Sequence, residues 1–232
     1  MEENNQNQNQ NINAEEIKKE AKETVNQVKD SFKNVDVKQE TEKAKNFFSG
    51  IISTPVKKIS EIAHDKSNNF FKTAIVLLVL WILIAGFKQV ASIIGTIFEY
   101  GFKFVSFSDF VGIAKAVITP VLEIAILSGI VYLFNQKENK KSFLTVVNTI
   151  VAAYFPIVAS KVVGLLNLIS GASRITSPII GLLGVISLVF TFFAVKELSD
   201  EKENDKAVKQ FVIIEAVYYV VAFVLSFLKL YI

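Results

Sequence analysis

The 232-residue chain has no cysteine, only four prolines and a single histidine. Without cysteine it cannot form a disulfide, a thiolate metal site or a cysteine nucleophile. The single histidine, His64, lies in the polar segment before the first long apolar run, where a solvated or interfacial role is expected instead of a catalytic one. No phosphate-binding loop, carboxylate dyad or metal-ligand cluster appears at a workable spacing. We therefore expect a protein that is not an enzyme and has no catalytic residue, cofactor or metal site.

A strong charge of one sign is also missing. The formal net charge is only +3, the sole arginine is Arg174, and no stripe of lysines alternates with aromatic residues. These features argue against a nucleic-acid partner. Residues 1–13 are rich in Glu, Asn and Gln, whereas a signal peptide would be basic and then apolar. We expect the first membrane span to act as its own insertion signal.

What the chain does contain is long apolar sequence. Hydrophobic residues make up 51% of it, with 20 phenylalanines, while charged residues make up 20% and concentrate in the first third. Residues 73–86 hold neither a charge nor an amide side chain. Such a run is denser than a buried helix of a soluble protein requires, and a lipid bilayer is its natural solvent. The composition predicts an all-α, polytopic membrane helix bundle behind a polar N-terminal extension.

The order of polar and apolar segments predicts four regions and five transmembrane helices. We expect a disordered tail at 1–13, a charged amphipathic cytoplasmic helix at 14–46, an interfacial juxtamembrane helix at 47–69, and a membrane domain at 70–232. The spans are expected at about 70–94, 111–134, 143–168, 175–195 and 211–230, because a hydrocarbon core about 30 Å thick requires about 20 residues. Several phenylalanines and isoleucines make the connector 88–109 amphipathic, so we expect it in the far interface.

The helix at 14–46 leaves three alternatives open. Its apolar stripe recurs at spacings of three and four residues but consists largely of small side chains. It could lie on the membrane, pair with a protein partner through residues 15–45, or form a marginal helix that only extends the tail.

Loop charge predicts the orientation. Lysine and arginine residues are about twice as frequent in the loops on the N-terminal side of the membrane as in the loops on the opposite side. The loops on the N-terminal side are the segment before the first span, the loop between the second and third spans, and the loop between the fourth and fifth spans. We therefore expect a protein of the cell membrane with a cytoplasmic N-terminus and an extracytoplasmic C-terminus.

The residues that are costly in a membrane are the polar ones inside the spans. Glu123, Asn148 and Glu215 should face the bundle interior, since a charge or an amide is expensive in contact with lipid. Asn148 and Glu215 fall at a similar depth and could share a hydrogen bond. We favour a role in holding helices together over a proton or ion pathway. Ser177, Gly181 and Gly184 form a small-residue patch suited to close helix packing.

The order of these features resembles that of the Yip family, five-span membrane proteins named for binding Ypt/Rab GTPases, in its bacterial branch. The matching residues extend from 47 to the C-terminus and are Phe47-Phe48, Pro55, Ile59, Ala153-Tyr154-Phe155-Pro156, Phe192-Phe193-Ala194-Val195-Lys196-Glu197-Leu198 and Lys206-Ala207. The resemblance implies a five-helix membrane bundle with a cytosolic N-terminus. The zinc ribbon that begins some bacterial relatives is absent here, because it requires cysteine. No GTPase partner is carried over to this chain.

Two functions follow as hypotheses. The first is a non-enzymatic integral membrane protein that acts through partner or lipid interactions, in membrane organisation or trafficking-like processes. The alternative is a small transporter or ion-conducting protein that uses Glu123 and Glu215.

Overall fold

A computed structural model of the protein describes residues 37–65, 67, 69–135, 141–169 and 172–227, together with a few isolated residues before position 37. Within these ranges every regular element is helical, which confirms the all-α prediction. The predicted disordered tail and most of the predicted helix at 14–46 lie outside the described residues, so both remain predictions.

Eight α-helices follow one another along the described chain. They are α1 (Val37–Ser53), α2 (Pro55–Ala63), α3 (Phe71–Tyr100), α4 (Phe107–Asn135), α5 (Phe143–Ala153), α6 (Phe155–Leu165), α7 (Ser173–Leu198) and α8 (Asn204–Phe227). Short 3₁₀ turns at Phe102–Phe104 and Leu166–Leu168 follow α3 and α6.

Helices α3, α4, α7 and α8 are each long and apolar enough to cross a membrane. The pair α5 and α6 passes the same test together, although it is bent by 42° at Tyr154. Pro156 lies in the first turn of α6. Proline has no N–H to donate and its ring clashes with the carbonyl four residues earlier, so the helix stops and restarts there. The third predicted span is thus two helices, and the described residues contain four or five apolar helices of spanning length.

Two helices extend further than the sequence indicated. The first span was expected to end near residue 94, but α3 continues to Tyr100 and α4 already begins at Phe107. No proline interrupts the connector, and α3 stops at Tyr100 because the next residue, Gly101, has a φ of 90°, a backbone conformation that glycine adopts without strain. Most of the connector 88–109 is therefore helical.

The polar N-terminal part ends in a helical hairpin, α1 and α2, which we call the cap. Helix α1 runs across the expected boundary at residue 46, and Thr54 separates it from α2, where Pro55 takes the first helical position. The cap is packed against the bundle: Phe47 and Ile51 of α1 and Ile59 of α2 are at most 1% exposed. Helix α2 lies against α5 and α7, and α1 against α3.

The cap marks one end of the bundle, which we call the near end. Helix α3 begins there, and the segment before α5 and the turn between α7 and α8 lie there too. The side chains show this directly, because Ser60 Oγ donates a hydrogen bond of 2.6 Å to Glu197 Oε2 across 137 residues of sequence. Helix α5 is the central element, with nine of its eleven residues buried.

Candidate functional site

A cleft of about 470 Å³ lies among α4, α6, α7 and α8. We call it the carboxylate cleft, because two of the residues singled out from the sequence, Glu123 and Glu215, both line it. Its other lining residues are Tyr154, Ile157, Gly181, Gly184, Val185, Ser187, Leu188, Thr191, Tyr218 and Tyr219.

The polar residues of the cleft share one depth in the bundle. Glu123 is 12 residues before the end of α4, Glu215 is 11 residues after the start of α8, and Tyr154 is 11 residues after the start of α5. At about 1.5 Å per residue, each lies roughly 17 Å from the near end. Half of a hydrocarbon core is about 15 Å. Three separate chain segments therefore bring polar groups to the middle of the bundle.

The mouth of the cleft opens on the outer flank of the bundle, between α7 and α8. Val185 and Tyr219 at its edge are each 62% exposed, and Leu188 is 46% exposed. These side chains are apolar or amphipathic and belong to the part of each helix that suits lipid. The cleft is thus reached from the side.

The floor of the cleft is formed where the third span breaks. Ile157 N–H bonds the carbonyl of Tyr154, and Ser187 Oγ of α7 donates to the carbonyl of Ala153 at 3.3 Å. A carbonyl at a helix end needs such a partner when it is buried. Tyr154 and Tyr218 both line the cleft. Trp81 of α3 stacks on Tyr154 with ring centroids 5.9 Å apart, which fixes the ring at the break.

Gly181 and Gly184, the two glycines of the predicted packing patch, line the carboxylate cleft and are not at a close helix–helix contact within the described chain. A Cβ built on Gly181 or Gly184 would meet no atom of the described residues within 4 Å. No neighbouring helix of the described chain therefore approaches them closely, and their missing side chains leave the space of the cleft open. Ser177 is exposed and does not line the cleft.

Asn148 lies apart from the two carboxylates. It is 2% exposed on the central helix α5, and its Oδ1 has no hydrogen-bond partner among the residues that the structure describes. It does not line the cleft, so the structure brings Glu215 together with Glu123 and not with Asn148.

The sequence analysis did not predict Tyr154, Tyr218 and Ser187 as residues of a functional site. Tyrosine and serine occur throughout apolar helices, so hydropathy alone does not mark them. A signal was present for Tyr154, because a residue two positions before a proline inside an apolar segment lies where a helix restarts.

The arrangement can bind a group that carries N–H or O–H donors or a positive charge, with its apolar part along the mouth. Carboxylates accept hydrogen bonds, and the tyrosine hydroxyls both donate and accept. Across the described part of the chain no three acidic or histidine side chains are placed to hold a metal ion. A comparison with protein-family models, curated proteins and solved structures found no match for the chain.

Proposed function

We propose that the chain is a non-enzymatic multi-pass membrane protein of the Yip type that acts through lipid or partner interactions, and that the carboxylate cleft is its lipid-binding site. The observation that carries this proposal is the position of the cleft. It holds two carboxylates at the middle of the bundle and opens on the apolar flank, where a bilayer supplies the ligand.

The expected ligand is an amphiphile that enters between α7 and α8. Its chain would lie against Val185 and Leu188, and its polar group would reach Glu123 or Glu215. A carboxylate in a low-dielectric site favours a donor or cation strongly, because no water competes for it. In this account the protein lies in the cell membrane, its N-terminus is cytoplasmic, and residues 15–45 recruit a protein partner.

A second function, transport of protons or ions, is favoured by one specific observation. The third span is broken at Tyr154, at the depth of both carboxylates, and broken helices at the midplane form the ion sites of many transporters. This account requires Glu123→Gln to reduce proton or ion flux in proteoliposomes. Wild-type liposomes with no flux above empty ones would exclude it.

The lipid proposal is tested by closing the cleft. Gly184→Leu puts a side chain into the cleft, and Gly129→Leu on α4 is the matched control. A Cβ built on Gly129 also meets no atom of the described residues within 4 Å, but Gly129 does not line the cleft. Both changes replace a helical glycine and should raise helix propensity alike, by about 1 kcal/mol.

The measurement is photolabelling in nanodiscs by a phospholipid with a diazirine in its acyl chain. We expect Gly184→Leu to reduce the adducts at the mouth residues Leu188 and Tyr219 to the frequency found at exposed apolar residues elsewhere, such as Leu83 and Leu133, and Gly129→Leu to leave them unchanged. Equal labelling of wild type and both variants would contradict a lipid site in the cleft.

A further inference from the structure

A second cavity, of about 550 Å³, lies where the cap meets the start of α3. We call it the cap pocket. Its walls come from α1, from α2 with the segment that follows it, and from the first turn of α3, and no residue lines both this pocket and the carboxylate cleft. Its floor is apolar and consists of Phe47, Ile62 and Phe70, which are at most 8% exposed. A cavity of this size with an apolar floor and a few polar groups is the usual form of a ligand site.

Four charged side chains line the cap pocket, two of each sign. The positive ones are Lys43 of α1 and Lys58 of α2, and the negative ones are Glu61 of α2 and Asp65, which follows α2. Because the two lysines belong to different helices of the hairpin, two walls of the pocket supply a positive charge. Since charge complementarity sets the specificity of a site, this balance favours a ligand that carries both signs.

Lys58 and Glu61 place the two signs side by side. Lys58 Nζ lies 2.9 Å from Glu61 Oε2, and the two side chains are 24% and 49% exposed. A zwitterion whose charged groups are separated by a short linker can lie along this pair, with its phosphate at Lys58 and its ammonium at Glu61. Asp65 has a different task, because its carboxylate accepts hydrogen bonds from the backbone N–H groups of Ser67 and Asn69 and so fixes one wall.

The cap pocket lies at the level of the lipid headgroups. Thr73 lines the pocket, and it is also the first residue of the uncharged run 73–86, where the part of α3 that suits lipid begins. The headgroup layer is roughly 5–8 Å thick on each side of the hydrocarbon core. Asn46, Glu61 and Asn69 line the pocket too and are exposed, so its opening is polar, unlike the mouth of the carboxylate cleft. The nearest source of ligand is therefore the headgroup layer.

We propose that the cap pocket binds the phosphoethanolamine headgroup of a phospholipid in the leaflet at the near end of the bundle. The phosphate accepts hydrogen bonds from Lys43 and Lys58, and the ammonium donates to Glu61. A choline group has no N–H to donate, and a glycerol headgroup has no positive charge. The pocket therefore prefers phosphatidylethanolamine to phosphatidylcholine and to phosphatidylglycerol. This proposal rests on the membrane location of the chain and not on the ligand of the carboxylate cleft.

Lipid retention by the full chain tests the cap pocket. The protein is placed in nanodiscs that contain equal parts of phosphatidylethanolamine, phosphatidylcholine and phosphatidylglycerol with identical acyl chains, and the lipids that stay bound after its release are counted by native mass spectrometry. We expect the wild type to retain phosphatidylethanolamine over phosphatidylcholine by about fivefold, the size of effect that one charged contact to a headgroup provides. Lipids retained elsewhere, including those of the carboxylate cleft, contribute equally to every variant below.

Two double variants separate the cap pocket from the general attraction of lysines to a membrane. Lys43→Gln/Lys58→Gln removes both positive charges of the pocket and should abolish the preference. Lys45→Gln/Lys57→Gln is the matched control, because it removes the same charge from the same two helices at exposed positions that do not line the pocket, and it should keep the preference. Thermal unfolding followed by Trp81 fluorescence shows that both variants are folded. A wild type without the preference, or an equal loss in both double variants, would overturn the proposal.

Two further measurements identify the ligand class. Glu61→Gln removes the partner of the ammonium and one negative charge, so it should lower the retention of phosphatidylethanolamine and raise that of phosphatidylglycerol; an unchanged ratio of these two lipids would overturn the role given to Glu61. Free phosphoethanolamine, added to the protein in nanodiscs of phosphatidylcholine alone, should leave Tm unchanged. A saturable rise in Tm would assign the pocket to a soluble zwitterion and overturn the lipid as its ligand.

Discussion

Replacing Phe47 by alanine is predicted to loosen the cap and to destabilise the whole bundle. Phe47 is 1% exposed, and its ring centroid lies 4.7 Å from that of Phe70 and 6.0 Å from that of Phe155. It therefore joins the cap to the start of α3 and to the start of α6. Burying a phenylalanine removes roughly 150–200 Å² of apolar surface from solvent, or about 4–5 kcal/mol at about 25 cal/mol per Å². Since alanine retains one methyl group and the site relaxes in part, we expect a loss of about 3–5 kcal/mol.

The assay is thermal unfolding in detergent or nanodiscs, followed by tryptophan fluorescence. Trp81 is the only tryptophan in the chain and is 2% exposed, so its signal reports the bundle interior. A loss of this size in a chain of this length corresponds to a fall in Tm of roughly 10 °C. The control is Ile52→Ala on the same helix, which should change Tm little because Ile52 is 72% exposed. A Phe47→Ala variant no less stable than Ile52→Ala would refute the docking of the cap.

Two further predictions concern α5 and the topology. Ser142 is the N-terminal capping residue of α5, because its Oγ accepts a hydrogen bond from Thr145 N–H at 3.1 Å. Ser142→Ala should therefore lower the free energy of unfolding by about 1 kcal/mol in the same assay. An unchanged Tm would show that this hydrogen bond does not stabilise the protein. The chain has no cysteine, so single cysteines at Ser67 and Ser106, both exposed, can be labelled without background. In intact cells we expect an impermeant maleimide to label Ser106→Cys and not Ser67→Cys, and the reverse pattern would invert the proposed orientation.

The spans could be predicted from sequence because each is a local property. Residues 73–86 carry no charge or amide over four turns, and only a helix in an apolar solvent suits such a run. The same reasoning could not locate the break at Tyr154, because a proline inside a membrane helix either bends the helix or marks the start of a new one, and the sequence does not distinguish the two. Pro156 restarts the helix here, whereas Pro120 and Pro178 lie within continuous helices.

The carboxylate cleft was only partly predictable, for a geometric reason. Hydropathy and spacing give the depth of a residue, and so Glu123 and Glu215 could both be expected in the bundle interior. They do not give the direction in which each helix turns its side chains. Whether Glu215 faces Glu123 or Asn148 depends on the rotation of α8 against its neighbours, which arises from the packing of all the helices together.

The packing of the cap against the bundle could not be predicted from the sequence, for a related reason. An apolar stripe such as Phe47, Ile51, Ile59 and Ile62 suits a membrane surface and a protein surface equally well. The structure shows that this stripe is buried against the bundle, while the opposite side of the cap exposes Ile52 and Val56. The apolar stripe is visible in the sequence, but only the tertiary contacts show that it packs against the bundle.

The measurement that tests the central claim most directly is the map of acyl-chain photoadducts on the wild-type protein in nanodiscs. A lipid held in the carboxylate cleft with its acyl chain at the mouth predicts adducts enriched on Val185, Leu188 and Tyr219. Exposed apolar residues elsewhere on the flank, such as Leu83 and Leu133, serve as the reference for ordinary lipid contact. Adducts no more frequent at the mouth of the cleft than at these reference positions would contradict the proposal.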